Sequence, residues 1–232
     1  MKKDDELPIY YIWIGGEMPE YVTACIDSWK HYMPDHPIIK LDETSVDLSK
    51  STFATEAMTA GKYAFVADYI RCKYLYEHGG YYLDTDTLLV RNLEGLNYTK
   101  SWICKESNNR IGFGACKFHA KSKVLEYLVD WYEKSSFYNE DGTINEATIT
   151  WLTNEAIKIT YGTTRVGPIL GGELVIHPPS TFYSLDWRTH EFRYSTDNSY
   201  GIHLYAMFSR VSCVRGVEPT RQLQRWSKRL FG

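Results

Sequence analysis

Residues 62–86 read KYAFVADYIRCKYLYEHGGYYLDTD, and the reading of this stretch decides the fold. Tyr63, Val66, Ala67, Ile70, Tyr74 and Leu75 recur at helical spacing, which predicts a helix over 62–78 with one apolar face. Gly79-Gly80 supplies its C-terminal cap, because glycine adopts the left-handed backbone that a helix end requires. A short strand over 81–83 follows and stops at Asp84-Thr85-Asp86. Toward the N-terminus, 38–41 reads as a strand, and 20–33 as a helix with Val22, Cys25, Ile26, Trp29 and Tyr32 on one side and Pro34 ending it. Residues 8–14 form an apolar run closed by Gly15-Gly16, which suits a buried parallel strand. Strand, helix, strand, helix, strand in this order predicts an α/β fold, with a mostly parallel Rossmann-like central sheet flanked by helices. Ligands of such sheets bind beyond the strands' carboxyl ends, and two of those ends are Trp13-Ile14-Gly15-Gly16 and Asp84-Thr85-Asp86.

Toward the C-terminus the pattern predicts strands near 102–105 and 113–118, helices over 122–134 and 145–159, then short strands and loops to Ser212. No repeat or linker interrupts the chain, so a single domain is expected over 1–219. Residues 220–232 are expected to form a short basic amphipathic helix, with Leu223, Trp226, Leu230 and Phe231 on one side and Arg221, Arg225, Lys228 and Arg229 on the other. Such a helix either packs its apolar side on the domain or makes a peripheral contact with an anionic membrane.

Composition narrows the function classes. The 232 residues are 44% hydrophobic and 24% charged, an ordinary globular balance, and a net charge of −3 gives no general reason to seek nucleic acid. The longest stretches without Asp, Glu, Lys or Arg are twelve residues, short of the roughly eighteen that a membrane span requires. The N-terminus carries acids as well as lysines and is a poor signal peptide, so a cytoplasmic location is expected, and five cysteines without a C-x-x-C pair read as reduced thiols. Nineteen tyrosines and seven tryptophans suit either core packing or stacking surfaces for sugars and bases.

Asp84 and Asp86 are two apart, so at a strand end both carboxylates point to one side with Cα atoms about 6.6 Å apart. They can face one hard cation such as Mg²⁺ or Mn²⁺, or form a solvated turn. Asp68 and Arg71 are three apart on one helix, spacing for an ion pair on a solvated face or for a carboxylate and guanidinium that meet sugar hydroxyls and phosphate. No nucleophilic hydrolase arrangement stands out, and G-x-S-x-G is absent.

Asp68-x-x-Arg71, Leu75 and Gly79-Gly80-x-Tyr82-x-Asp84-x-Asp86, preceded by Ile12-Trp13-Ile14-Gly15-Gly16, resemble the DXD-containing sugar-transfer region of glycosyltransferase family 32. That family includes capsular-polysaccharide and lipopolysaccharide enzymes and is related to the large clostridial glucosylating toxins. The resemblance covers 9–92 and implies a GT-A fold and retaining transfer from a UDP-linked sugar donor to an oligosaccharide or lipid-linked glycan, with Mn²⁺ or Mg²⁺ as cofactor. It implies that Trp13 stacks on uracil, that Asp68 and Arg71 touch donor sugar and phosphate, and that Tyr82 sits beside the motif. It assigns Asp84 to ribose and metal, and Asp86 to the metal directly; Asp84, Asp86 and Arg71 form the catalytic set. Family members often carry a segment resembling I-H-x-x-x-x-S-W, which here runs from Ile202-His203 to Ser209-Arg210, with Arg in place of Trp. His203 is therefore either a metal or phosphate ligand or a core histidine bonded to backbone. Glu106, Asp186 and Asp197 are three acids among which the sequence selects no nucleophile. A protein-directed glucosyltransferase like the toxins and an inactive sugar-nucleotide-binding module are the competing readings.

Overall fold

The computed structural model describes residues 7–97, 100–189 and 191–206. Its elements in chain order are β1 (Ile9–Ile12), α1 (Glu20–Tyr32), β2 (Ile38–Leu41), α2 (Thr52–Thr59), α3 (Tyr63–His78), β3 (Gly80–Leu83), β4 (Thr87–Leu89), β5 (Ser101–Ser107), β6 (Arg110–Phe118), α4 (Lys123–Lys134), α5 (Ile149–Tyr161), β7 (Gly167–Ile169), β8 (Leu174–His177) and β9 (Gly201–His203). The large sheet has the order β2-β1-β3-β6-β5-β8-β7, with β6 and β7 antiparallel to the rest. The carboxyl ends of β1, β3, β5 and β8 therefore share one edge, as the α/β reading requires.

Both faces of this sheet are covered, which is why its strands read as continuous apolar runs. Along β1, Tyr10 and Ile12 enter the core shared with α2, α3, α4 and α5, whereas Ile9 and Tyr11 enter the core shared with α1, β4 and β9. Much of the aromatic content is spent here. The Phe53 ring meets the Tyr132, Trp131, Phe137 and Phe65 rings edge-on at 5.2 to 6.0 Å. Full burial of such a side chain stabilises the fold by about 1.5–3 kcal/mol.

Helix α2 is absent from the sequence expectation. Its signal is short: the Ser51 hydroxyl accepts from the Ala54 N–H at 3.1 Å as N-cap, and only Phe53, Ala54 and Ala57 are buried. The α3–β3 junction follows the expectation closely. Gly79 caps α3 at φ 65°, and a Cβ there would lie 2.7 Å from the Ala120 nitrogen, so both backbone conformation and space demand glycine. α5 begins at Ile149 rather than near Asn145, because the Thr148 side chain caps it by accepting from the Trp151 N–H.

A second, two-stranded sheet pairs β4 with β9 antiparallel, placing His203 opposite Thr87 and Ile202 opposite Leu88. This ladder positions the site, because it returns the chain to the residue that follows Asp86. Cys25, Cys72, Cys104 and Cys116 are buried free thiols. Among the described residues no helix is long and apolar enough to cross a membrane. The expected helix over 220–232 lies outside the described residues.

Candidate active site

Asp84-Thr85-Asp86 is a tight turn between β3 and β4. The Asp84 N–H donates to the Gly114 carbonyl at 2.8 Å, and the Thr87 N–H donates back to the Asp84 carbonyl at 2.9 Å. The third partner arrives from the distant end of the described chain. His203 Nε2 lies 3.3 Å from Asp84 Oδ2 and 3.4 Å from Asp86 Oδ1. The His203 side chain thus faces carboxylates, which removes the reading of a core histidine bonded to backbone.

Each carboxylate is held from behind. Asp84 Oδ1 accepts from Arg71 Nη1 at 3.2 Å and from the Tyr82 hydroxyl at 2.9 Å. Asp86 Oδ2 accepts from the Ala206 N–H at 2.9 Å, while its carbonyl accepts from the Leu204 N–H at 2.8 Å. What remains to face inward is Asp84 Oδ2, Asp86 Oδ1 and His203 Nε2. The ring of His203 lies between Tyr183, stacked at 5.3 Å, and Tyr205 at 4.6 Å between centroids. His203 Nδ1 is buried with no hydrogen-bond partner among the described residues.

Asp68 and Arg71 do not form a solvated surface pair. Both are buried, with Arg71 Nη2 3.0 Å from Asp68 Oδ1 and the guanidinium 4.8 Å above the Tyr82 ring. The sequence reading of α3 missed this because Asp68 and Arg71 lie off the apolar stripe, while the end of β3 and the Phe113 ring cover that side as well. One guanidinium serves two acids, and they divide it unequally. Burial alone would raise the Asp84 carboxyl, but Arg71, then His203 and Tyr82, hold it well below the usual carboxylate range. For Asp68 burial outweighs the same Arg71, and its pKa is pushed up to about 7. Burial also raises Asp86. It disfavours charge on His203, yet Asp86 and Asp84 reverse that and push the imidazole up to about 9.

Close approach depends on Gly114 of β6. A Cβ there would lie 2.6 Å from Asp84 Oδ2 and 2.8 Å from His203 Nε2, so any side chain would occupy the centre of the cluster. Its N–H donates to the Tyr183 hydroxyl at 3.0 Å. Sequence reading singles out neither Gly114 nor Tyr205. The available signal was Gly112-Phe113-Gly114 inside a strand pattern, a mark of close backbone approach.

Of the three unresolved acids, the fold brings one to the cluster. Glu106, at the end of β5, accepts from the Tyr205 hydroxyl at 3.3 Å. Asp186 is engaged by Arg193 and the Arg188 N–H, and Asp197 by the Ser195 hydroxyl, all on exposed loops. Trp13 stands half-buried just past β1 at the same sheet edge, its indole N–H donating to the Gly16 carbonyl at 2.7 Å.

The residues present fit a divalent cation. One ligand atom from each of Asp84, Asp86 and His203 lies within 4.8 Å of the others. Adjacent ligands of an octahedral ion at 2.0–2.1 Å are about 3 Å apart, close to the separations of 3.3 and 3.4 Å here. Two carboxylates and one imidazole are a donor set in which oxygen predominates, suited to a divalent cation.

Residues 19–108 match the family described as "Glycosyltransferase sugar-binding region containing DXD motif". The matched span holds Asp68, Arg71, Tyr82, Asp84 and Asp86, and leaves out Trp13 and His203. No curated protein matches the chain at a significant level. Among solved structures, the PaToxG glycosyltransferase is similar at a TM-score of 0.53 and 14% identity, over 68% of this chain and 70% of that one. A glycosyltransferase involved in glycosylation of the major capsid of PBCV-1 aligns at 0.46 and 14%, over 94% and 98% of the two chains. GlyE of Streptococcus pneumoniae TIGR4 aligns at 0.49 and 10%, over 97% of this chain and 64% of that one. The first of these likenesses is one of fold. Residues 19–108 are thus similar to a glycosyltransferase sugar-binding region of the DXD type, and the chain around them has a GT-A type fold.

Proposed function

We propose that the protein is a metal-dependent, retaining glycosyltransferase that moves a hexose from a UDP-linked donor to a surface-glycan acceptor, such as a capsule, lipopolysaccharide or exopolysaccharide intermediate. The observation that carries this reading is the convergence of Asp84, Asp86 and His203 on one point, with the other oxygens of the two carboxylates already bonded to Arg71, Tyr82 and Ala206. A carboxylate pair so prepared loses little freedom when it binds, which favours affinity. Bound Mn²⁺ or Mg²⁺ would neutralise charge developing on the departing UDP, a Lewis-acid contribution of several kcal/mol.

The chain's own residues divide the remaining tasks. Asp86 presents Oδ1 and is kept in place by the Ala206 N–H. Asp84 presents Oδ2 and, at its fixed rim, a contact for ribose. Arg71 acts first as a positioning residue for Asp84, and Asp68, whose carboxyl ionises near neutrality, is set to exchange hydrogen bonds with donor hydroxyls. Trp13 offers its face to uracil at the end of β1. The family resemblance of 68–86 supports retention of anomeric configuration, and the Tyr205 contact makes Glu106, rather than Asp186 or Asp197, the candidate acid for it. The proposal also assigns a cytoplasmic location, with peripheral membrane contact through 220–232; sedimentation with anionic liposomes at low salt tests that part, and equal recovery in the supernatant with and without this segment would oppose it.

The test is a panel of UDP- and GDP-sugars with Mn²⁺, scored for nucleotide release and thermal stabilisation, with ¹H NMR of the product's anomeric proton. One UDP-sugar should stand out and give a retained anomer. Thermal stabilisation without nucleotide release for every donor and acceptor offered would support an inactive binding module instead.

A further inference from the structure

Among the depressions that the described residues form, two lie outside the Asp84–Asp86–His203 cluster. The larger, about 490 Å³, is lined by Lys123, Glu126, Tyr127, Asp130 and Thr160 and carries both signs of charge. The smaller, about 260 Å³, is lined by Lys105, Asn108, Thr164, Arg165, Val166 and Pro179, which is two cations and no acid. Its walls come from the β5–β6 turn, the segment entering β7 and the residues after β8. Gly167 pairs with Ile176 and Lys105 with Ile111, so all three segments stand at the carboxyl edge of the sheet, the edge that carries Asp84.

Lys105 is the unusual group. It is 6% exposed, and its ammonium donates to the Asn108 carbonyl at 3.3 Å. Among the described residues neither Lys105 nor Arg165 has a carboxylate within ion-pair distance. Burial lowers the Lys105 pKa with no acid to offset it, the signature of a charge that lacks its counter-ion. A buried ammonium is costly unless an opposite charge reaches it. Arg165 is exposed at the mouth, where a planar guanidinium can take a carboxylate or phosphate in two-point fashion. Lys105 also immediately precedes Glu106, which Tyr205 ties to the His203 cluster, so the cleft and that cluster share the carboxyl edge of the sheet.

We propose that this cleft is an acceptor subsite for an anionic substituent, a carboxylate or phosphate, on the saccharide being extended. The assignment rests on the glycosyltransferase reading of the neighbouring site and adds to it the chemical class of the acceptor. Lys105 supplies a desolvated point charge, Arg165 a directional clamp, and Val166 with Pro179 apolar walls beside the oxyanion.

The test titrates glucuronate, glucose 6-phosphate and glucose against the full chain in chelator, using saturation-transfer NMR, alongside Lys105→Met, Arg165→Gln and the double variant. At least one acidic sugar should bind tenfold or more tightly than glucose, a difference of about 1.4 kcal/mol. Which acid is preferred distinguishes a uronate from a phosphate acceptor. Each single variant should remove most of the preference; Arg165→Gln changes only an exposed side chain, so its result stands whatever Lys105→Met does to folding. Equal binding of glucose, or a preference that survives in the double variant, overturns the subsite. UDP release by the unaltered protein is scored separately: its absence for every donor contradicts the transferase reading, whereas its presence without any acid preference contradicts the subsite alone.

Discussion

Asp84 and Asp86 sit two residues apart on one turn, whereas His203 reaches them from 119 residues downstream of Asp84 and Ala206 from 120 downstream of Asp86. The first region is local in sequence: a strand ends and a β-turn closes, with one carboxylate at each end of the turn. The second exists only through pairing. The β4–β9 register sets His203 opposite Thr87, and a slip of one residue would turn its imidazole to the other side of the ladder. The two regions therefore fail differently: damage to the turn removes chemistry from an intact fold, and damage to the ladder removes the imidazole while leaving the motif in the sequence.

The largest expected effect breaks the local region. Asp86→Asn keeps the acceptor for the Ala206 N–H but takes away a charged ligand, and loss of about 3–5 kcal/mol of leaving-group stabilisation lowers the rate of UDP release more than a hundredfold. Circular dichroism and melting should stay close to those of the unaltered protein. Full turnover in a folded Asp86→Asn protein would sink the metal mechanism.

Arg71→Met is the next step down and moves stability rather than chemistry alone. It strands the buried Asp68 and the half-buried Asp84 carboxylates, so unfolding in denaturant should show a loss of about 3–5 kcal/mol at neutral pH. Because Asp68 already binds a proton near pH 7, the loss should shrink as pH falls and both acids are neutralised. A change below 1 kcal/mol would mean that the buried ion-pair network contributes little.

How much of this was legible beforehand divides along the same line. Spacing alone brought out α3, Gly79-Gly80, β3 and the paired acids, because each is encoded within a few residues. His203 entered only as one of two readings, since nothing local distinguishes an imidazole beside carboxylates from one in a core. β4, three residues long, and α2, with three buried side chains, are too short for periodicity to register. The burial of Asp68 and Arg71 was likewise hidden, because it depends on what packs over the far side of α3. Gly114 carries no chemistry of its own and is recognisable only once the Cβ it lacks can be placed.

A smaller effect sharpens the downstream region. The His203 pKa is raised from 6.5 to about 9, so in the metal-free protein its charge stabilises the fold fully below pH 6.5, and that contribution is lost as pH rises through about 9. A cation at Nε2 displaces the same proton. Apparent Mn²⁺ affinity, measured by calorimetry, should therefore rise about tenfold per pH unit between 7 and 8.5 and become nearly flat in His203→Gln. A flat profile in the unaltered protein would separate His203 from the metal.

The smallest effect lies outside both regions. Trp13→Ala should weaken UDP binding by about 1–3 kcal/mol, borrowing the magnitude of base–aromatic stacking, with Mn²⁺ affinity unchanged. Unaltered UDP affinity would remove Trp13 from the donor site and leave it a half-buried residue closing β1 through Gly16.

The central claim is that the turn and the ladder hold one ion together, and electron paramagnetic resonance of Mn²⁺ titrated into the full chain with UDP tests it most directly. The account predicts one bound ion per chain, with affinity reduced at least tenfold both in Asp86→Asn and in His203→Ala. No bound Mn²⁺ in the unaltered protein, or binding that is untouched by the loss of either residue, would contradict it.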